Sequence, residues 1–159
     1  MFKILSLVLA CCLWLLPAAA FAVPAPPLSF SNAELARKDF SGQKLQKAEF
    51  SNANLESTNF SGADMMGVVL STSSLVNTNL HGANLTQALI DQVKFNGTDL
   101  SDAILVDSIM LRSRFKNVNI QGTDFTGALL GKEQVLQLCK QADGVNSKTG
   151  ADTRDSLGC

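Results

Sequence analysis

The sequence predicts an all-β repeat solenoid closed at its C-terminal end by a short two-helix cap. Three observations predict it. Every fifth residue from 35 to 130 is Leu, Phe, Ile or Met; residues 31–130 hold 26 such residues, and 20 of them occupy these positions without a slip of register. Two places before each of these centres stands Ala, Ser, Thr or Val in 18 of 20 units, with only Lys38 and Gln43 departing from the rule. Two places after a centre lie all seven glycines of the region, Gly42, Gly62, Gly67, Gly82, Gly97, Gly122 and Gly127. Self-similarity at a fixed period marks a repeat architecture and outranks local propensity.

Each part of the five-residue unit has a physical reason. In an extended segment, the centre and the residue two before it share one side of the chain. The large side chain fills an interior, and the small one lets the adjoining wall approach. Glycine tolerates the positive φ that tight turns require, so the place two after the centre is a corner. One unit is therefore a short extended wall and a bend. A period of five fits neither an amphipathic helix nor an alternating strand.

The units Ala53-Asn54-Leu55, Ala63-Asp64-Met65, Thr78-Asn79-Leu80, Ala83-Asn84-Leu85, Thr98-Asp99-Leu100 and Thr123-Asp124-Phe125 resemble the pentapeptide repeat family, whose unit reads roughly Ala-Asp/Asn-Leu-x-x. The resemblance covers about 100 of 159 residues. It implies a right-handed quadrilateral β-helix with four units per coil, and hence about five coils. At about 4.8 Å per coil the tower is roughly 24 Å tall.

Residues 1–22 read as a secretory leader: Lys3 supplies the positive start, residues 4–16 are apolar, and Ala20-Phe21-Ala22 forms an Ala-x-Ala site with cleavage expected between Ala22 and Val23. An uncleaved anchor is one alternative, because apolar residues continue to Val23. A lipid anchor at Cys11, after Val8-Leu9-Ala10, is another. Membrane contact is otherwise expected only through the leader before cleavage. Residues 23–30, with Pro24, Pro26 and Pro27, form an extended lead-in, and Phe30 is placed to plug the first coil. Lys38 and Gln43 would then face a partly solvated mouth, since an unpartnered buried charge is costly. A small polar pocket is the alternative there.

Stacking in steps of twenty makes columns of outward residues. Asp39, Asn59, Asn79, Asp99 and Asn119 form a polar column able to share hydrogen bonds between coils. The column Glu49, Val69, Leu89, Ile109, Leu129 is apolar beyond its first member. With Met66, Ile104, Val106 and Leu111 around it, this column is the candidate docking face for a protein partner, because contiguous exposed apolar surface marks interfaces. The alternative is that the chain's own C-terminal segment covers it near Leu129. Arg112, Arg114 and Lys116 make a small outward basic cluster, read as a solvated face because three charges are too few for a phosphate track.

After Leu130 the period stops. Residues 132–142 carry Val135, Leu138, Cys139 and Ala142 at helical spacing, ended by Asp143-Gly144. Asp152 or Thr153 can cap a second short helix. Such a pair is the natural lid for the exposed edge of a β-helix. With the leader removed, Cys139 and Cys159 are the remaining cysteines, and in an exported chain an isolated pair is most simply a disulfide. A redox-active pair is the alternative, though no Cys-x-x-Cys motif supports it. The segments Asp143-Gly144-Val145-Asn146 and Asp152 through Cys159 are similar to the ending of lumenal pentapeptide repeat proteins of cyanobacteria and chloroplasts. That likeness implies a thylakoid-lumen or periplasmic location and transfers no chemistry.

The formal net charge of the whole chain is −1. Residues 31–130 hold 10 acidic and 8 basic residues. That balance argues against a nucleic-acid footprint, and it also argues against the alternative function, the DNA mimicry by which some pentapeptide repeat proteins protect a topoisomerase. No catalytic, metal or cofactor residues are assigned: the single histidine, His81, stands without a nucleophile–base–acid pattern, and phosphate-loop motifs are absent. The sequence points to a non-enzymatic, exported interaction or structural scaffold, with oligomeric state open.

Overall fold

A computed structural model describes residues 26–159. The leader, its Ala22–Val23 cleavage point, Cys11 and Pro24 lie outside the described residues.

The chain is a right-handed quadrilateral β-helix. Its ladder begins at Ser29, and every outward residue pairs in parallel with the residue twenty places on, as in Asp39↔Asn59↔Asn79↔Asp99↔Asn119. Most pairings are single bridges. On one wall the contacts lengthen into three parallel strands, β1 (Ser74–Val76), β2 (Lys94–Asn96) and β3 (Arg114–Lys116). The columns starting at Glu34, Asp39 and Lys44 are named here walls one to three, and the column Ser29↔Glu49↔Val69↔Leu89↔Ile109↔Leu129 is wall four.

The centres fill the interior. From Leu45 onward, all except Leu130 are buried, and Phe30, Leu35, Phe40 and Leu130 pack half-buried at the two ends. Aromatic centres stack from coil to coil: Phe30 on Phe50 at 4.9 Å, Phe40 on Phe60 at 5.2 Å, Phe95 on Phe115 at 5.1 Å. The small positions do more than make room. Their buried hydroxyls donate to carbonyls of the preceding coil, Thr58 to Leu35 O at 2.9 Å and Thr78 to Leu55 O at 2.7 Å. Each such bond satisfies a buried polar pair that would otherwise cost stability.

Every corner residue two after a centre has positive φ, from Asn32 at 61° to Gly127 at 68°. Seven are glycines; the others include Asn, Asp, Ser, Gln, Lys and Arg, and one β-branched residue, Thr72. The corner therefore demands a left-handed residue at every unit, although only the glycines announce it.

Beyond Leu130 come α1 (Lys132–Leu138) and α2 (Thr153–Leu157). α1 is shorter than the 132–142 periodicity suggests: residues 139–141 form a turn, with Gln141 N–H donating to Leu138 O, and Ala142 lies on the core beyond it. Asp152 is the N-cap of α2, accepting from the N–H groups of Arg154 and Asp155, and Gly158 ends it at φ 74°. Cys139 and Cys159 are joined by a disulfide.

Candidate docking face

Wall four is built by alternation. The residue before each centre must point outward because its neighbour points in, and Val69, Leu89, Ile109 and Leu129 follow one another at single-coil spacing. Leu89 is 40% exposed and Leu129 55%, with Val69 and Ile109 half-exposed between and below them. The backbone of this wall is closed on both sides: Leu89 N–H donates to Val68 O and Leu89 O accepts from Leu70 N–H. A partner would meet side chains rather than a free strand edge.

The flanks extend the surface. Met66, 43% exposed, and half-buried Val106 lie at one corner; Leu111, 41% exposed, lies at the other; half-buried Ile104 sits on wall three. The C-terminal segment does not cover the column. It crosses the end of the tower instead, where Leu138, Ala142 and Leu157 join the core.

The other walls are occupied differently. On wall two the carboxylate or amide oxygens of Asp39, Asn59, Asn79, Asp99 and Asn119 each accept the N–H two residues on. The column thus braces the corners within each coil, and Asn59 donating to Asp39 at 3.1 Å adds a bond between coils. The hydrogen bonds of Ser41 hold the exposed Asp39 carboxyl below the usual carboxylate range. On wall three, burial works to raise the Asp124 pKa, yet the hydroxyl and N–H of Thr126 prevail and hold it low.

His81 lies on an exposed corner with Nδ1 2.9 Å from Ser101 Oγ, and that hydroxyl donates to Asp99 at 2.7 Å. The serine stands between the other two groups, so the histidine has no carboxylate to orient it, which a triad requires. Among the described residues no three His, Cys, Asp or Glu side chains converge on a metal position, and no helix is long and apolar enough to cross a membrane.

Arg112, Arg114 and Lys116 are all exposed, and Arg112 lies 3.6 Å from Asp91. The hydroxyl of Ser71 and the amide of Gln92, with Arg112 adding its charge, hold the Asp91 carboxyl low. Lys94, overlooked in the cluster, belongs with them: it is in register with Arg114 on wall one. Its position twenty places before Arg114 was the available signal. The disulfide partners Cys139 and Cys159 lie in the cap, where Cys139 packs partly buried against the core.

A family model for pentapeptide repeats matches residues 33–71, 63–102 and 94–131. The fold is similar to a crystal structure of a pentapeptide repeat protein from the Arabidopsis thaliana thylakoid lumen, with TM-score 0.81 and 37% identity over 82% of this chain and 90% of that one. A pentapeptide repeat protein from Nostoc matches with TM-score 0.54 and 24% identity over 65% of this chain and 84% of that one, a likeness of fold. Over 45 residues the chain is 56% identical to thylakoid lumenal 15 kDa protein 1, chloroplastic, of A. thaliana, and over 40 residues it is 52% identical to that plant's thylakoid lumenal protein TL20.3, chloroplastic. Those stretches are 28% and 25% of this chain, and span only 20% and 14% of the two relatives.

Proposed function

The chain belongs to the pentapeptide repeat family, and from that premise we propose that it is an exported, non-enzymatic scaffold that docks a protein partner on wall four. The observation that carries the reading is the open column Val69–Leu89–Ile109–Leu129 on a wall whose backbone is fully paired. A parallel β-helix needs its inward residues apolar; it has no folding use for an apolar outward column, and soluble walls are ordinarily polar, as walls one and two are. A rigid wall also loses little entropy on docking, which favours binding by shape.

The location proposed is the thylakoid lumen or a periplasm. Support comes from the leader pattern at residues 1–22 and from the lumenal relatives. The cap disulfide is chemistry suited to an oxidising compartment.

In-cell crosslinking with mass spectrometry tests the reading, comparing wild type with Leu89→Asp/Ile109→Asp after both are shown to be folded. Loss of a wild-type crosslink in the variant supports wall four as the docking face. Identical crosslinks overturn it and move attention to the polar walls.

A further inference from the structure

On wall one of the last two coils, β2 and β3 place Lys94 directly beside Arg114 in parallel register. Arg112 and Lys116 flank Arg114 at the two corners, and all four side chains are exposed. Like charges opposite one another across a strand pair are destabilising. The chain has acids enough to relieve the repulsion, 14 against 13 basic residues, yet among the described residues the sole ion pair is Arg112 with Asp91. Lys94, Arg114 and Lys116 have no acidic partner within salt-bridge distance. The cations edge a shallow hollow lined by Gln92, Val93, Lys94, Arg112 and Arg114.

This patch abuts the docking column. Leu111 and Arg112 are successive residues at the corner between walls four and one, so exposed apolar surface runs directly into the cationic surface. We infer that the partner of wall four is a protein segment carrying both carboxylates and apolar side chains. Its carboxylates lie against Lys94 and Arg114, and its apolar groups lie across Leu111 onto Leu89 and Ile109. The inference rests on the docking reading above and adds the partner's chemistry. Guanidinium groups match carboxylates with paired hydrogen bonds. A nucleic-acid backbone fits less well: cations confined to two rungs do not track a long run of phosphates, and such a ligand makes no use of the adjoining apolar column.

The test is fluorescence anisotropy with the purified protein and a labelled peptide of alternating Glu and Leu pairs. Its Gln-for-Glu twin, heparin and anionic phosphatidylglycerol vesicles serve as comparators. The expected result is binding of the Glu/Leu peptide that weakens with salt, is absent for the Gln twin, and falls about ten-fold or more in Lys94→Glu/Arg114→Glu. The neutral pair Lys94→Gln/Arg114→Gln guards against misfolding and should show an intermediate loss. Unchanged peptide binding in the charge variants overturns the inference, as does failure of the wild type to bind the peptide. Heparin or vesicles bound more tightly, and lost in the same variants, also overturn it by naming another class of partner. The two readings fail separately. If Leu89→Asp/Ile109→Asp loses its cellular crosslink while the charge variants keep theirs, docking stands and the acidic partner falls. If the charge variants lose peptide binding while the wall-four variant keeps its crosslinks, wall one binds acidic segments, but apolar docking falls and takes with it the inference that one partner spans both walls.

Discussion

At the C-terminal end of the tower, Leu138, Ala142 and Leu157 lie on the core, and cap side chains reach down to the exposed backbone. Gln134 donates to Met110 O and Ser113 O, and Ser156 Oγ accepts Phe125 N–H. Asn146 is buried; its amide donates to Asp102 O, Ala103 O and Gly122 O, and its oxygen accepts from the N–H groups of Lys148 and Thr149. At the N-terminal end, closure is by Phe30 stacked on Phe50, while Lys38 and Gln43 stand exposed where other units bury a small residue. One end is sealed by directional bonds and the other by one aromatic ring. The difference teaches that terminal units of a repeat tolerate departures from the consensus only where solvent reaches them. It also predicts that damage to the two ends will differ in size and kind.

The largest effect is expected from Asn146→Ala. Asp102 O, Gly122 O and two N–H groups lose their partner together, and Ala103 O keeps only the Asp124 N–H, which should cost on the order of 4 kcal/mol, read as a fall in denaturation midpoint. A loss below about 1 kcal/mol would show that water replaces the amide and that the cap is not held by it. Reducing the Cys139–Cys159 bridge, which spans a sequence separation of 20, should remove about 3 kcal/mol of cap stability. Amide exchange should then quicken in α1, α2 and the loop between them while the first four coils keep their protection. Uniform loss of protection would mean that the cap and tower unfold as one unit.

Phe30→Ala should cost about 2 kcal/mol, less than the roughly 3–5 kcal/mol of a fully buried Phe, because Phe30 is only half-buried. Its exchange signature should be confined to the first coil. Acid should discriminate the ends as well. The folded-state pKa of Asp124 is depressed, so its carboxylate stabilises the fold above the ordinary unfolded value of about 3.9. That contribution fades as pH falls through the lower folded value. Asp124→Asn should therefore flatten the stability loss below that ordinary value, whereas Asp39→Asn, at a fully exposed carboxyl, should change the acid limb less. The smallest effect is expected for Lys38→Ala, within about 0.5 kcal/mol in either direction. A larger change would mean that Lys38 has a partner at the mouth.

How much was legible follows from which interactions repeat. The period of five, the centres and the buried small residues could be read because each is imposed at every unit, so chance agreement is small. The corner was only partly legible. Thr72 takes φ 63° although nothing in its side chain signals it, because the neighbouring bridges leave the turn no other conformation. The exposed column on wall four was legible as Val69, Leu89 and Ile109 at steps of twenty. Whether the tail covered it was not, since that depends on where residues 131–159 run after the repeat ends. Lys94 could have been placed beside Arg114 by the same arithmetic. Asn146 could not have been singled out, because the carbonyls its amide satisfies lie 24 to 44 residues away and share no pattern with it.

The sequence alone determined that this chain is a solenoid of five-residue units with an apolar interior, polar corners and a different, helical ending. It could do so because a repeated constraint writes itself repeatedly into residue choice. The tertiary structure decided what happens where repetition stops: which carbonyls Gln134 and Asn146 satisfy, that the cap lies over the end and leaves wall four open, and that Leu111 joins an apolar wall to a cationic one. These are single long-range contacts, each made once, and a contact made once leaves no periodic trace in the chain.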